Sequence, residues 1–246
     1  MRILITGGTS GLGLAMAGAL AEDDHQIVIT GRSDERAGEV AATLPDPVRG
    51  IGMDVRDPDS VRAGRDRAVA ELGGIDVLIN NAGLGMRTVN PRFFAEPQPF
   101  WQVPVAGFRD VIETNLTGYF LVASEIVPHL LAAGRGRIIN VTMNHSTMRR
   151  QGFVPYGPSR AGAEALSRIM AADLADTGVR VNLLLPGGAT LTGMIPREAA
   201  DRPGLLPPEI MAAPVRWLCS AEAEGVHDER IVATEFDEWL ARRSAG

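Results

Sequence analysis

The stretch Ile3–Ala21, "ILITGGTSGLGLAMAGALA", packs three local conformations into nineteen residues. An apolar, β-branched run reads as a buried strand, a glycine cluster forces a tight turn, and small apolar residues without a proline then read as a helix. Glycines at 7, 11 and 13 let backbone N–H groups approach an anion, which then lies over the positive end of the following helix. In this strand-turn-helix context the loop predicts a pyrophosphate cradle made by Gly7, Thr9, Ser10, Gly11, Leu12 and Gly13.

Outward from this unit the same rhythm repeats. Further β-branched runs fall at Gln26–Thr30, Val48–Met53, Ile75–Ile79, Arg137–Val141, Val179–Leu185 and Arg230–Ala233, after a first one at Arg2–Thr6. Helical apolar spacing fills Leu12–Ala21, Glu35–Thr43, Val61–Leu72, Phe108–Leu131 and Ala161–Ala175. Near-continuous apolar strands alternating with helices predict an α/β fold, a doubly wound parallel sheet of about seven strands with helices on both faces. Such sheets bind ligands at the carboxyl ends of their strands. With no internal repeat or low-complexity linker, residues 1–246 read as one domain. Two proline-rich irregular stretches, at about 85–104 and 190–210, read as substrate loops, the first carrying Phe93, Phe94, Phe100 and Trp101.

Composition narrows the function. A net charge of −6 without a basic stripe argues against a nucleic-acid partner. No apolar run reaches the length of a membrane span, and the first strand begins too early for a signal peptide. A single cysteine, Cys219, excludes an internal disulfide and fits a buried small hydrophobe in a cytoplasmic protein. Four scattered histidines offer no metal-ligand spacing, so no metal site is expected.

The residue closing the second strand chooses the cofactor of a dinucleotide site, because an acid there binds the adenosine ribose and repels a 2′-phosphate. Here "IVITGRSDE" places Gly31 at that position, followed by Arg32 and Ser33. A guanidinium fork and a hydroxyl suit a phosphate, so NADP(H) is expected in preference to NAD(H), with Asp34 close enough to neutralise part of Arg32's charge.

Together with the glycine loop, four marks appear in order: Asp54-Val55, Asn80-Asn-Ala-Gly83, Asn115 in "ETNLTGYF", and Tyr156 ahead of Pro186-Gly187. With these the chain resembles the short-chain dehydrogenase/reductase family over essentially its whole length. The resemblance implies a Rossmann fold, with Asp54 and Val55 near the adenine and Asn81, Ala82 and Gly83 lining the cofactor. It also implies that Pro186, Gly187 and either Thr190 or Thr192 lie near the nicotinamide, and that the protein is a homodimer or homotetramer assembled through its two long helices.

In that family a tyrosine exchanges a proton with the substrate oxygen. A lysine four residues on holds the ribose, an upstream serine orients the carbonyl, and an asparagine completes a water relay. This chain keeps Tyr156 and Asn115, has Arg160 in the lysine's place, and reads "NVTMNHSTM" where the serine should stand. A guanidinium one helical turn from a phenol stabilises the charge left when the proton departs, by about 4 kcal/mol at 4 Å in an effective dielectric near 20. Arginine does not release its own proton, so a relay through the lysine ammonium must be bypassed. For the serine's role Asn144 is the choice, its carbonyl tied to the backbone and its amide donating to the substrate, with Thr142 and Ser146 as alternatives.

The expected function is NADP(H)-dependent hydride transfer with a small ketone, aldehyde or secondary alcohol. Two rival readings go with it. One is an NADP(H)-binding sensor with degenerate catalysis. The other is a halohydrin dehalogenase-like lyase, whose Tyr-x-x-x-Arg pattern this chain shares, although Gly11 stands where those enzymes place an aromatic residue.

Overall fold

The computed structural model describes residues 1–244. Its strands are β1 (Arg2–Ile5), β2 (Gln26–Gly31), β3 (Val48–Gly52), β4 (Val77–Asn80), β5 (Gly136–Val141), β6 (Val179–Leu185) and β7 (Arg230–Val232). They form one parallel sheet in the order β3-β2-β1-β4-β5-β6-β7. The helices are α1 (Gly11–Ala21), α2 (Asp34–Ala41), α3 (Pro58–Leu72), α4 (Val105–Ile112), α5 (Gly118–Ala132), α6 (His145–Met148), α7 (Tyr156–Asp173), α8 (Ala212–Leu218) and α9 (Phe236–Ser244).

The period-2 alternation of each strand sorts its side chains between two cores. Ile3, Ile5, Ile27, Ile29, Val77 and Ile79 pack with α1, α2, α8 and α9 on one face. Leu4, Val28 and Leu78 pack with α3, α5 and α7 on the other. Burying one such aliphatic side chain contributes about 1.5–3 kcal/mol, which is why strands covered on both faces read as unbroken apolar runs. Cys219 is buried in the first core, and burial pushes its thiol up to about 12.

Two expected helices differ in their limits. The long helix expected over 108–131 is two helices, because a π-helical turn at Glu113–Thr117 interrupts it between α4 and α5. The helix expected from Ala161 starts at Tyr156, five residues earlier, so Gly157 and Pro158 lie in its first turn. Proline is tolerated there because first-turn N–H groups lack intrahelical partners. That early start puts Tyr156 and Arg160 on one helical turn.

One polar ladder crosses the interior. Asn80 Nδ2 donates to Asn140 Oδ1 at 2.9 Å, and Asn140 Nδ2 donates to Ser167 Oγ at 2.8 Å, tying β4 to β5 and β5 to α7. Asn80 and Asn140 are both buried. Asn140→Leu would leave the Asn80 amide without its acceptor, and the expected loss is about 1–3 kcal/mol, read from the urea midpoint of the purified protein.

Candidate active site

The strand order reverses between β1 and β4, and the crevice beyond their carboxyl ends is where an open α/β sheet accepts a ligand. A cavity of about 660 Å³ occupies that position. Gly7, Thr9, Ser10, Gly11 and Leu12 line it, as do Arg32, Asp54, Val55, Asn81, Ala82 and Gly83. So do Asn144, Tyr156, Arg160, Pro186, Gly187 and Thr190, together with Thr192. Three expected residues do not reach its surface: Gly13, Ser33 and Asn115.

Gly13 and Asn115 work behind the wall, and Ser33 stands exposed just outside the cavity rim. A Cβ at Gly13 would lie 2.4 Å from Asn81 Nδ2 and 2.4 Å from Gly7 O, so its glycine keeps α1 close beneath the loop. Ser33 caps α2, its hydroxyl accepting from Arg36 N at 3.2 Å. Asn115, in the π turn, donates through Nδ2 to Leu84 O at 2.9 Å and to Ser159 Oγ at 3.0 Å. Its Oδ1 accepts from Leu84 N at 2.7 Å. Both amide hydrogens are therefore committed to fixing the loop after β4 against the first turn of α7.

The glycine loop has the shape that a pyrophosphate requires. Gly7 and Gly11 have φ of 63° and 54°, and a Cβ at Gly7 would come within 2.7 Å of Ala82 Cα. Asn81 Nδ2 holds the loop through Thr6 O at 3.0 Å and Gly7 O at 2.9 Å. The loop opens directly into the N-terminus of α1, whose first-turn N–H groups are the donors an anion meets. These residues fit a dinucleotide.

At the end of β2, a Cβ on Gly31 would already lie 2.8 Å from Thr9 Cγ2, so an acid has no room there unless Thr9 moves. Arg32 is exposed at the cavity rim. Asp34 does not neutralise it, contrary to the sequence expectation, because Oδ1 accepts from Gly52 N at 2.6 Å and pairs with Arg67 at 2.7 Å. These contacts, the Gly52 bond first, hold its carboxyl below the usual range. Asp54 is similarly occupied: Arg56 takes it in a fork at 2.7–3.3 Å, which holds its carboxyl low.

Beneath the other end sits Arg160, only 3% exposed. Its Nη1 donates to Tyr119 Oη at 2.7 Å and to Val141 O at 3.0 Å, while Tyr119 Oη donates to the same carbonyl at 3.1 Å. The guanidinium carbon lies 5.5 Å from the Tyr119 ring centroid and 5.4 Å from that of Tyr156. Both tyrosines of the chain thus flank one buried cation. Burial works against that charge, but the two phenols outweigh it and hold the guanidinium proton more tightly than usual. Burial pushes the Tyr119 phenol up, against the opposing pull of Arg160.

The segment in the missing serine's place is braced from behind. Glu164 Oε2 accepts from Thr142 Oγ1 at 3.1 Å, and Oε1 meets His145 Nε2 at 2.7 Å and Arg230 Nε at 3.0 Å. Arg230 also donates to Met143 O at 2.7 Å. Thr142 lines the cavity with its hydroxyl donated to this brace, whereas Ser146 is exposed and does not line it. Asn144 does line the cavity, but its amide is oriented opposite to the expectation: Nδ2 donates to Gly187 O at 2.7 Å, leaving one N–H and the carbonyl uncommitted to that bond.

Several contributors escaped sequence reading. Arg56 pairs with Asp54 two residues away, and Tyr119 sits one turn beyond Asn115, a spacing that could have suggested a shared face. The first irregular loop also divides its aromatics: Phe93 is buried and Phe94 lines the cavity, whereas Phe100 and Trp101 are exposed.

A family model described as "short chain dehydrogenase" matches residues 1–203. The chain belongs to the short-chain dehydrogenase/reductase family. It is 37% identical to cis-4-hydroxycyclohexanecarboxylate dehydrogenase from Sinomonas cyclohexanicum, over 91% of this chain and 90% of that one. It is 30% identical to a 3-oxoacyl-[acyl-carrier-protein] reductase from Vibrio cholerae, over 93% of each. The crystal structure of a 3-ketoacyl-(acyl-carrier-protein) reductase from Brucella melitensis complexed with NADH superimposes with a TM-score of 0.81 at 26% identity, covering 94% of this chain and 95% of that one. The short-chain dehydrogenase is thus an oxidoreductase that uses a nicotinamide cofactor and acts on CH–OH or C=O groups of a small molecule. Among its described residues no helix is long and apolar enough to cross a membrane.

The Glu164 brace carries a pH dependence. Burial alone would raise this carboxyl, but His145, Arg230 and Thr142 together hold it below its ordinary value of 4.5. Its contribution to stability is present above that value and is lost as pH falls through the lower folded value. Glu164→Gln is expected to cost on the order of 1–3 kcal/mol at neutral pH and to flatten the loss of stability below about pH 4.5, read from urea unfolding at several pH values.

Proposed function

We propose that this enzyme is an NADP(H)-dependent reductase or dehydrogenase of a small ketone, aldehyde or secondary alcohol, with Tyr156 as the general acid/base. The observation that carries it is the placement of Tyr156 on the cavity wall with its ring 5.4 Å from a buried, permanently charged guanidinium. When bound, a nicotinamide supplies the hydride donor or acceptor for the carbon under attack.

The chain's own groups handle the proton and the position. Tyr156 Oη gives a proton to the substrate oxygen in reduction and takes the hydroxyl proton in oxidation. Arg160 acts mainly through its charge: Nη1 is committed to Tyr119 and Val141, so ribose contact is restricted to the little of the side chain that reaches the cavity. Asn144 steadies the substrate oxygen with the amide hydrogen that Gly187 does not use. Asn115 serves as a positioning residue, since its side chain joins Leu84 to Ser159.

Arg32, with the Ser33 hydroxyl beside it, holds the 2′-phosphate. This reading is supported by the crowding at Gly31, by the engagement of Asp34 with Arg67, and by the absence of an acidic partner for Arg32 among the described residues. Asp54 and Val55 flank the adenine, and Gly7, Thr9, Ser10, Gly11 and Leu12 take the pyrophosphate over α1, with Gly13 supporting the loop. Asn81, Ala82 and Gly83 line the middle of the cofactor, while Pro186, Gly187 and Thr190 border the nicotinamide, with Thr192 packed over Gly11.

Assembly and location complete the proposal. Phe108, Phe120, Leu131 and Ile169 are exposed apolar side chains on α4, α5 and α7, which suits a homodimer or homotetramer built on those helices. The lone buried cysteine and the net charge of −6 suit a cytoplasmic enzyme.

Tyr156→Phe is expected to lower NADPH-dependent turnover by about 10²-fold or more while leaving NADPH affinity within twofold, measured by stopped-assay kinetics and by cofactor fluorescence titration. Arg32→Ala is expected to weaken NADPH binding by about tenfold or more and to leave NADH binding nearly unchanged. Equal losses for both cofactors would remove Arg32 from the phosphate site.

A further inference from the structure

Beyond the reacting groups, the substrate end of the cavity has an uneven chemistry. Met86, Phe93, Phe94, Phe153, Met194 and Ile195 make it apolar. Phe93 and Phe153 meet edge to face, with centroids 5.8 Å apart, and pack with Met86 and Met143 in a small separate core. Among the described residues the only acidic side chain lining the cavity is Asp54, and that one is held by Arg56 beyond the ends of β2 and β3. One exposed cation interrupts the apolar wall. Arg150, just after α6, lines the cavity with its guanidinium carbon 5.0 Å from the Phe153 ring centroid.

Arg150 differs from the arginines that are tied up in ion pairs. Arg56, Arg65, Arg67, Arg216 and Arg230 are all paired with carboxylates. Arg150 has no such partner among the described residues, and its documented contact is the face of Phe153. Stacking on an aromatic face restricts a guanidinium's rotamers while leaving its edge donors free. A planar fork of donors beside an apolar chamber is complementary to a carboxylate carried on a hydrocarbon body. Because no acidic group lines that end, nothing in the chamber repels such an anion.

We infer that Arg150 is the specificity-determining anchor for a substrate carboxylate, so that the enzyme's preferred substrates are hydroxy or oxo acids with an apolar body between the two polar ends. This inference rests on the proposed reaction at Tyr156 and names the substrate class for that site. Arg150 touches the remote end of the substrate and takes no part in proton transfer.

The test separates the anchor from the chemistry. Binding of cyclohexanecarboxylate and of its neutral counterpart cyclohexanecarboxamide to the NADPH-loaded full-length protein is measured by calorimetry, alongside turnover of cyclohexanone and of 4-oxocyclohexanecarboxylate. The wild type is expected to bind the carboxylate about tenfold or more tightly than the amide. Arg150→Met should abolish that preference and raise KM for the oxo acid with little change in kcat, and Arg150→Lys should keep part of it. Arg202→Met should leave it intact, because Arg202 rests on Phe94 at 5.4 Å without lining the cavity. A wild type that does not distinguish acid from amide, or a preference that survives in Arg150→Met, overturns the inference. Failure to reduce either ketone, with the binding preference intact, would count against the reaction proposed at Tyr156 and leave the anchor standing.

Discussion

A permanent cation sealed between two phenols is the constraint around which this site is built. An unpaired charge in a protein interior is costly, and Arg160 is tolerated there because Tyr119 and the Val141 carbonyl take Nη1 while two aromatic faces cover the guanidinium. The bond to Tyr119 also limits what the cation can do. It is held on the α5 and β5 side of α7, while a lysine's flexible ammonium could instead have swung toward a ribose. Gly83 belongs to the same arrangement, since a Cβ there would lie 2.3 Å from Arg160 Nη2.

The surrounding fold supplies this cation with fixed neighbours. The π turn brings Asn115 against Leu84 and Ser159, and thereby locks the loop after β4 to the first turn of α7. The Glu164 brace holds Thr142, Met143 and His145 from the other side. The loop carrying Asn144 and the helix carrying Tyr156 are therefore pinned to different strands yet face one cavity. A proton donor needs this kind of rigid placement more than it needs many contacts.

Much of this was legible from residue patterns. Strand positions followed from β-branched runs because both faces of the sheet are covered, and the glycine loop declared its turn, its helix and its ligand class together. What escaped reading depended on contacts remote in sequence. Tyr119 lies 41 residues from Arg160, and nothing in "ETNLTGYF" says that its hydroxyl points at a guanidinium. Arg160's burial was equally invisible, so a ribose contact was expected where the structure shows a clamp. The Asn144 amide was read in the wrong sense because its partner, Gly187 O, comes from the loop after β6, 43 residues away. The start of α7 was read five residues late, although a proline such as Pro158 in a first turn costs little.

The proposed reaction at Tyr156 makes the charge of Arg160, and not a saturated set of contacts to it, what assists proton transfer there. The most direct measurement is the pH dependence of kcat/KM for NADP⁺-linked alcohol oxidation in the wild type, Arg160→Lys and Arg160→Met, methionine being an apolar residue of similar reach that leaves no buried charge behind. The predicted result is a profile that Arg160→Lys keeps largely intact and that Arg160→Met lowers by about tenfold or more at neutral pH. A folded Arg160→Met enzyme whose profile coincides with that of the wild type would contradict it.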